Sequence, residues 1–203
     1  MSDLHRAMAE IDAIRGHIAR NTEFRGYGPA AVATTGAFAL AAAALQSQWL
    51  PDPQHSLGAY LALWVATAVL SMVLIGIETV TRSVRVHRGL AKEMLHAAAE
   101  QFVPAISAGG LLAVVLLRFA PQSLWMLPGL WQLLFSLGVF ASCRFLPRPM
   151  FAVGLWYLCA GLVCLALGSG PRALSPWMMA LPFGVGQLLV AAVLQFSYRD
   201  HDD

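Results

Sequence analysis

The sequence predicts an all-α fold: a polytopic membrane helix bundle of six transmembrane helices, arranged as three helical hairpins, with cytoplasmic amphipathic helices attached. Three observations predict it. Of 203 residues, 58% are hydrophobic and only 12% charged, about half the charge of an ordinary soluble domain. The apolar residues gather into six runs near the length of about 20 that crosses a hydrocarbon layer of roughly 30 Å. Proline marks the start of five of those runs, where its missing N–H costs no intrahelical bond.

The six spans are expected at Pro29 to Trp49, Leu57 to Thr79, Pro104 to Phe119, Pro128 to Leu146, Pro149 to Leu167 and Pro176 to Phe196. The third is short, and Arg118 near its end has a stem long enough to snorkel to the interface. Pro29 to Pro51 and Pro149 to Pro171 have equal spacing, which fits hairpins, but the residues between them match poorly and proline at span ends is common. The membrane domain is taken as residues 29–198, with a cytoplasmic helical extension at about 80–103, and residues 199–203 form a tail.

Orientation follows from charge. With six spans, the N-terminal segment, the connection between spans two and three, the turn at Pro147 to Pro149 and the C-terminus share one side. That side holds Arg6, Arg15, Arg20, Arg25, Arg82, Arg85, Arg88, Lys92, Arg144, Arg148 and Arg199, against Arg118 and Arg172 on the other. The positive-inside rule makes both termini cytoplasmic. Trp49, Trp125 and Trp177 then fall at the outer interface, where amphipathic rings prefer to sit. The net charge of +2 gives no basis for a nucleic-acid partner. The first 28 residues lack an apolar signal core, so a removable signal peptide is not expected. They instead form an amphipathic helix with Leu4, Met8, Ile11, Ile14 and Ile18 on one face. Val84, Ala91, Met94, Leu95, Ala98 and Phe102 draw a similar stripe after span two.

Polar residues inside hydrocarbon are costly and normally face a bundle interior or a wet cavity. Span two carries the clearest such pattern: Tyr60, Trp64, Thr67, Ser71, Glu78 and Arg82 recur at three, four or seven residues and share one face. Together with Gln187, which lies mid-span in the sixth run beside Gly184 and Gly186 and after Pro182, these are the candidate ligand-binding residues: Tyr60, Trp64, Thr67, Ser71, Glu78 and Gln187. The favoured reading of Glu78 is nonetheless a structural ion pair with Arg82, Arg144 or Arg25 at the cytoplasmic rim, and a packing hydrogen bond explains Gln187 as well as a binding site does. Glu93, His96 and Glu100 follow the Glu-x-x-His spacing of di-metal carboxylate bundles, but such sites need two helices of that kind and the chain has one. A solvated helix face accounts for them as well. Arg118, Arg172 and the tryptophans outside fit an aromatic belt with snorkelling arginines as readily as a ligand site. Cys143, Cys159 and Cys164 have no zinc spacing and read as small core residues. No phosphate loop, HExxH or GxSxG motif is present, so no catalytic residues and no cofactor are expected.

Four segments resemble a family of small six-span bacterial membrane proteins of unassigned activity: IDAIRGHIARNTEF, LPGLWQLLFSLGVFAS, LPRPMFAVGLWYLCAG and LSPWMMALPFGVGQLLVAAVL. They cover the N-terminal helix and most of the second half, while spans one to three match loosely. The resemblance implies a bacterial inner membrane and a six-span bundle. Some relatives carry His where this chain has Gln187, so a metal or haem role at that position does not carry over.

The expectation from sequence is a non-enzymatic membrane protein that binds or passes a small molecule, with the lipid bilayer as its first partner. The rival is an accessory protein that docks a cytoplasmic protein through its amphipathic helices; a metal-dependent membrane enzyme using Glu93, His96 and Glu100 is a third. Small-residue faces such as Ala105 with Gly109 and Gly154 with Gly161 would allow a homo-oligomer. The charge bias makes one outcome checkable at once. A reporter that is active only outside the cytoplasm should stay inactive when fused after Asp203 and become active when fused in the loop at Gln54; the reverse pattern sinks the topology.

Overall fold

The structure, a computed structural model, describes residues 28–85, 89–143 and 146–199; at 82–85, 89–99, 171 and 197–199 it describes the backbone but not the side chains. Six α-helices make up nearly all of it: α1 (Pro29–Trp49), α2 (Leu57–Arg85), α3 (Gly89–Phe119), α4 (Leu127–Ser142), α5 (Met150–Leu167) and α6 (Trp177–Arg199). Short 3-10 turns at Pro121–Met126 and Gly170–Arg172 precede α4 and α6. All six helices are long and apolar enough to cross a bilayer. The chain is a multi-pass membrane protein built as a helical bundle.

Proline marks most of the helix starts, as expected. Pro29 opens α1, Pro128 sits in the first turn of α4 and Pro149 caps α5. Pro104 is the exception and corrects the expected start of span three. It lies inside α3, whose apolar part runs from Glu100 to Phe119. The ring removes one backbone bond, to the carbonyl of Glu100. That carbonyl sits at the apolar boundary, where a freed group is more easily satisfied than at mid-depth, so the helix continues through. Span three is therefore full length rather than short. Span four ends at Ser142, four residues before the expected Leu146.

The helices pack in the order α2–α1–α6–α5–α4–α3, with α4 also reaching α6. Each sequential hairpin is in contact, but the most extensive packing joins α4 to α5 and α1 to α6. Glycine explains both. A Cβ on Gly161 would fall 2.9 Å from the Gly129 carbonyl oxygen, and one on Gly36 would fall 3.2 Å from that of Gly184. Backbones approach closely only because nothing is there, which is how helices associate in lipid without a hydrophobic drive between them.

Two clusters fill the interior. On the loop side Ala39, Ala42, Ala43, Tyr60, Trp64, Leu174, Met179 and Ala180 are buried together. On the side of the termini the core is Val32, Met150, Val153, Tyr157, Ala191 and Leu194. Phe135, Tyr157 and Phe183 stack between them, with ring centroids 4.6 to 5.6 Å apart. Helices α2 and α3 stand at the two ends of the packing order. Only 11% of each span is buried, against 33–44% for the other four.

The glycines divide along the same line. Gly58, Gly76 and Gly110, on α2 and α3, have open space where a Cβ would go. Replacing Gly161 with Val should lower stability by about 1–3 kcal/mol through overpacking. Gly110→Ala should be neutral or raise stability by about 0.5–1 kcal/mol, since alanine is the better helix former. Denaturant unfolding of the purified variants measures both; equal effects would refute the packing order.

Candidate functional site

The α2 stripe divides into two parts. Tyr60 and Trp64 are fully packed, at 1% and 3% exposure, whereas Thr67, Ser71 and Glu78 are half-buried. The lipid-facing positions between them are Val65, Val69, Leu70, Met72, Val73 and Ile77. The periodicity thus placed the polar residues on the side turned toward protein. Thr67 and Ser71 hydroxyls donate to the carbonyls of Leu63 and Thr67 one turn back, both at 2.8 Å, so neither depends on another helix for a partner.

The packed part is held by a residue that sequence reasoning passed over. Gln46 of α1 has no exposed surface. Its Oε1 accepts from the Trp64 indole N–H at 2.8 Å, and its Nε2 donates to the Leu174 carbonyl at 2.7 Å. Trp64 can only donate and a carbonyl can only accept, so both contacts fix the same orientation of the amide. Leu174 adopts φ 60°, the only positive φ at a non-glycine among the described residues. That left-handed backbone is unfavourable for a leucine and persists where its surroundings hold it in place. Here Gln46 holds its carbonyl while its side chain is buried against Tyr60 and Trp64.

A second glutamine does a similar job one helix away. Pro182 has no N–H, so the Met178 carbonyl four residues earlier in α6 loses its helical partner. Gln132 of α4, also without exposed surface, donates its Nε2 to that carbonyl at 2.7 Å, and the Cys164 thiol of α5 approaches the same oxygen at 3.3 Å. The Pro182 carbonyl in turn accepts from the Trp156 indole at 3.0 Å. The same signal that singled out Gln187, an amide alone in an apolar run, also marks Gln132. Gln46 gave less warning, because it lies close to a span end beside Ser47 and Gln48.

Gln187 is half-buried in α6, with its Cβ at the crossing with α1 near Gly36. It lies beside the Tyr157 hydroxyl, though not in hydrogen-bond geometry. Gly186 gives Tyr157 its place: a Cβ there would collide with the tyrosine ring and hydroxyl. α2 meets α6 at the loop side, where Tyr60 and Trp64 pack with Met179 and Ala180, about two turns from Gln187. Among the described residues, the hydroxyls of Tyr60, Thr79 and Tyr157 are buried without a hydrogen-bond partner.

The remaining candidates are placed less completely. The side chains of Arg82 and Arg144, expected partners of Glu78, lie outside the described residues, as do those of Glu93 and His96. Glu100 is exposed, and the N-terminal helix falls wholly outside the described residues. Arg118 and Arg172 are exposed on the loop side together with Trp49 and Trp177. Of the cysteines read as core residues, Cys164 is buried and Cys143 partly so, but Cys159 is exposed on the lipid-facing side of α5. A thiol is apolar enough to face lipid, so the span offered no signal to distinguish it.

A concavity of about 470 Å³ opens on the loop side between the start of α2 and the turn after α3. Leu57, Gln54, Gln122, Trp125, Gly170 and Leu174 are among its walls. Leu57 is on the same face of α2 as Tyr60 and Trp64, so those two residues and Leu174 close off the interior below it. A smaller hollow of about 320 Å³ lies between α1 and α2 and is lined by Leu45, Trp49, Leu50, Ala59 and Leu63.

The proline–glutamine pairing gives a sharp expectation. Gln132→Leu should destabilise the protein by about 1–2 kcal/mol by leaving the Met178 carbonyl buried and unpaired. In a Pro182→Ala background the helix supplies an N–H to that carbonyl, and the cost of Gln132→Leu should fall by more than half. A double-mutant cycle on unfolding free energies reads the coupling; additive effects would refute it.

No family model, curated protein or solved structure matches the chain, and the family resemblance rests on its sequence segments alone.

Proposed function

We propose that this protein is a non-enzymatic membrane protein that binds or passes a small molecule along the polar face of α2. The observation that carries the reading is the half-burial of Thr67, Ser71 and Glu78 on a helix whose exposed positions from Val65 to Val80 are all apolar. Polar groups there are partly covered by protein without being sealed by packing. That is the condition a binding face needs. Tyr60 and Trp64 form the loop-side end of the same face, and Gln187 is the second mid-membrane polar group available to a ligand. On this reading the side bearing both termini is cytoplasmic, the membrane is a bacterial inner membrane, and Glu78 works at its cytoplasmic rim with Arg82 or Arg144 nearby.

Such a ligand stabilises the folded bundle by mass action, by about 2.7 kcal/mol at a hundredfold excess over its Kd. A thermal-unfolding screen of the purified protein in lipid nanodiscs should therefore find compounds that raise Tm for the wild type. Thr67→Val, Ser71→Ala, Glu78→Gln and Gln187→Leu should each reduce the rise. If a broad screen finds no stabilising compound, the binding reading is wrong.

A further inference from the structure

The interior face of α2 ends, on the loop side, beneath a hollow whose walls have a chemistry of their own. Three separate segments build it: Gln54 and Leu57 at the start of α2, Pro121 to Trp125 after α3, and Gly170 to Leu174 before α6. At about 470 Å³ it falls within the range of small-molecule sites. Its floor is rigid, because Leu124 and Leu174 are 2% exposed and the Leu174 carbonyl is tied to Gln46. Gln54 already braces one wall, with its Nε2 donating to the Gly170 carbonyl at 3.3 Å, and its Oε1 remains able to accept. Gln122 is exposed and brings both a donor and an acceptor. Trp125 adds a half-buried aromatic ring.

The lining residues are Gln54, Leu57, Pro121, Gln122, Leu124, Trp125, Gly170, Ala173 and Leu174, and none of them is charged. A phosphate, carboxylate or ammonium group would lose water there and meet no counter-charge among the lining residues. Two primary amides beside an indole suit an uncharged ring that carries several hydroxyls: the amides exchange hydrogen bonds with adjacent hydroxyls, and the indole face covers the ring's C–H side. We propose that this hollow is a recognition site for a glycosyl group, supplied either as a free sugar or as the headgroup of a neutral glycolipid in the outer part of the bilayer. The proposal goes beyond the α2 reading above, since the hollow is a separate site on the loop side of the layer formed by Tyr60, Trp64 and Leu174.

The test uses the full chain in phosphatidylcholine nanodiscs prepared without sugar-based detergent. One arm titrates maltose; the second incorporates monoglucosyl diacylglycerol; the controls are inorganic phosphate and phosphatidylglycerol. Tm and the quenching of tryptophan fluorescence are the readouts. Saturable stabilisation in either glycosyl arm, with none in the controls, is the expected result, and which arm responds identifies the source. Gln122→Leu and Trp125→Ala should each weaken the apparent affinity about tenfold or more, as expected for a lost hydrogen bond or stacking partner. Both residues are at least partly exposed, and unchanged Tm without ligand shows that the variants fold. Silence in both glycosyl arms, equal response to the charged controls, or affinity indifferent to Gln122→Leu overturns the proposal. A stabilising compound that is lost with Thr67→Val and Ser71→Ala but kept with Gln122→Leu ends this proposal while leaving the α2 binding reading intact.

Discussion

Buried between packed helices, a backbone carbonyl without a partner has no water to turn to, and Pro182 creates one at Met178. Gln132 answers it from α4, with Cys164 of α5 close to the same oxygen. Three helices are thereby joined at a point where leucine side chains alone would allow sliding. A similar device recurs at Leu174, whose carbonyl is held by Gln46 of α1, itself bonded to Trp64 of α2. Through these two amides the chain leading into α6 is tied to every other helix except α3. The placement of the loop-side core follows from them.

The rest of the bundle depends on close backbone approach. Gly129 against Gly161 and Gly36 against Gly184 let α4–α5 and α1–α6 meet, and the aromatic residues Phe135, Tyr157 and Phe183 occupy the space between these pairs. This leaves α2 and α3 at the ends of the order, each with most of its span facing outward. Consecutive helices are therefore not the principal packing partners. The polar face of α2 is half covered for the same reason, since α1 is its main packing partner.

The loop side and the interior are separated by Tyr60, Trp64 and Leu174. The loop-side hollow is floored by that layer, and the half-buried Thr67 and Ser71 lie below it. A solute passing the length of the protein would have to displace residues that are hydrogen-bonded and tightly packed. A solute binding on either side of the layer would not. The strained backbone of Leu174 sits at this layer and is stabilised by a single amide.

The sequence by itself determined the number of crossings, their approximate limits, which end each loop belongs to and which face of α2 is polar. Apolar length, proline and a period of 3.6 residues are local properties, and hydrocarbon enforces them without reference to neighbours. It misjudged Pro104, because a proline ends a helix only where the freed carbonyl cannot be satisfied. Only the tertiary structure decided that α1 meets α6, that Gln46 and Gln132 carry the buried bonding, and that Gln187 lies beside Tyr157 at a crossing, two turns from where α2 meets α6. Each of those depends on which helix stands opposite, and in lipid that choice is made by small residues and stray carbonyls spread across distant segments, a pattern no single span reveals.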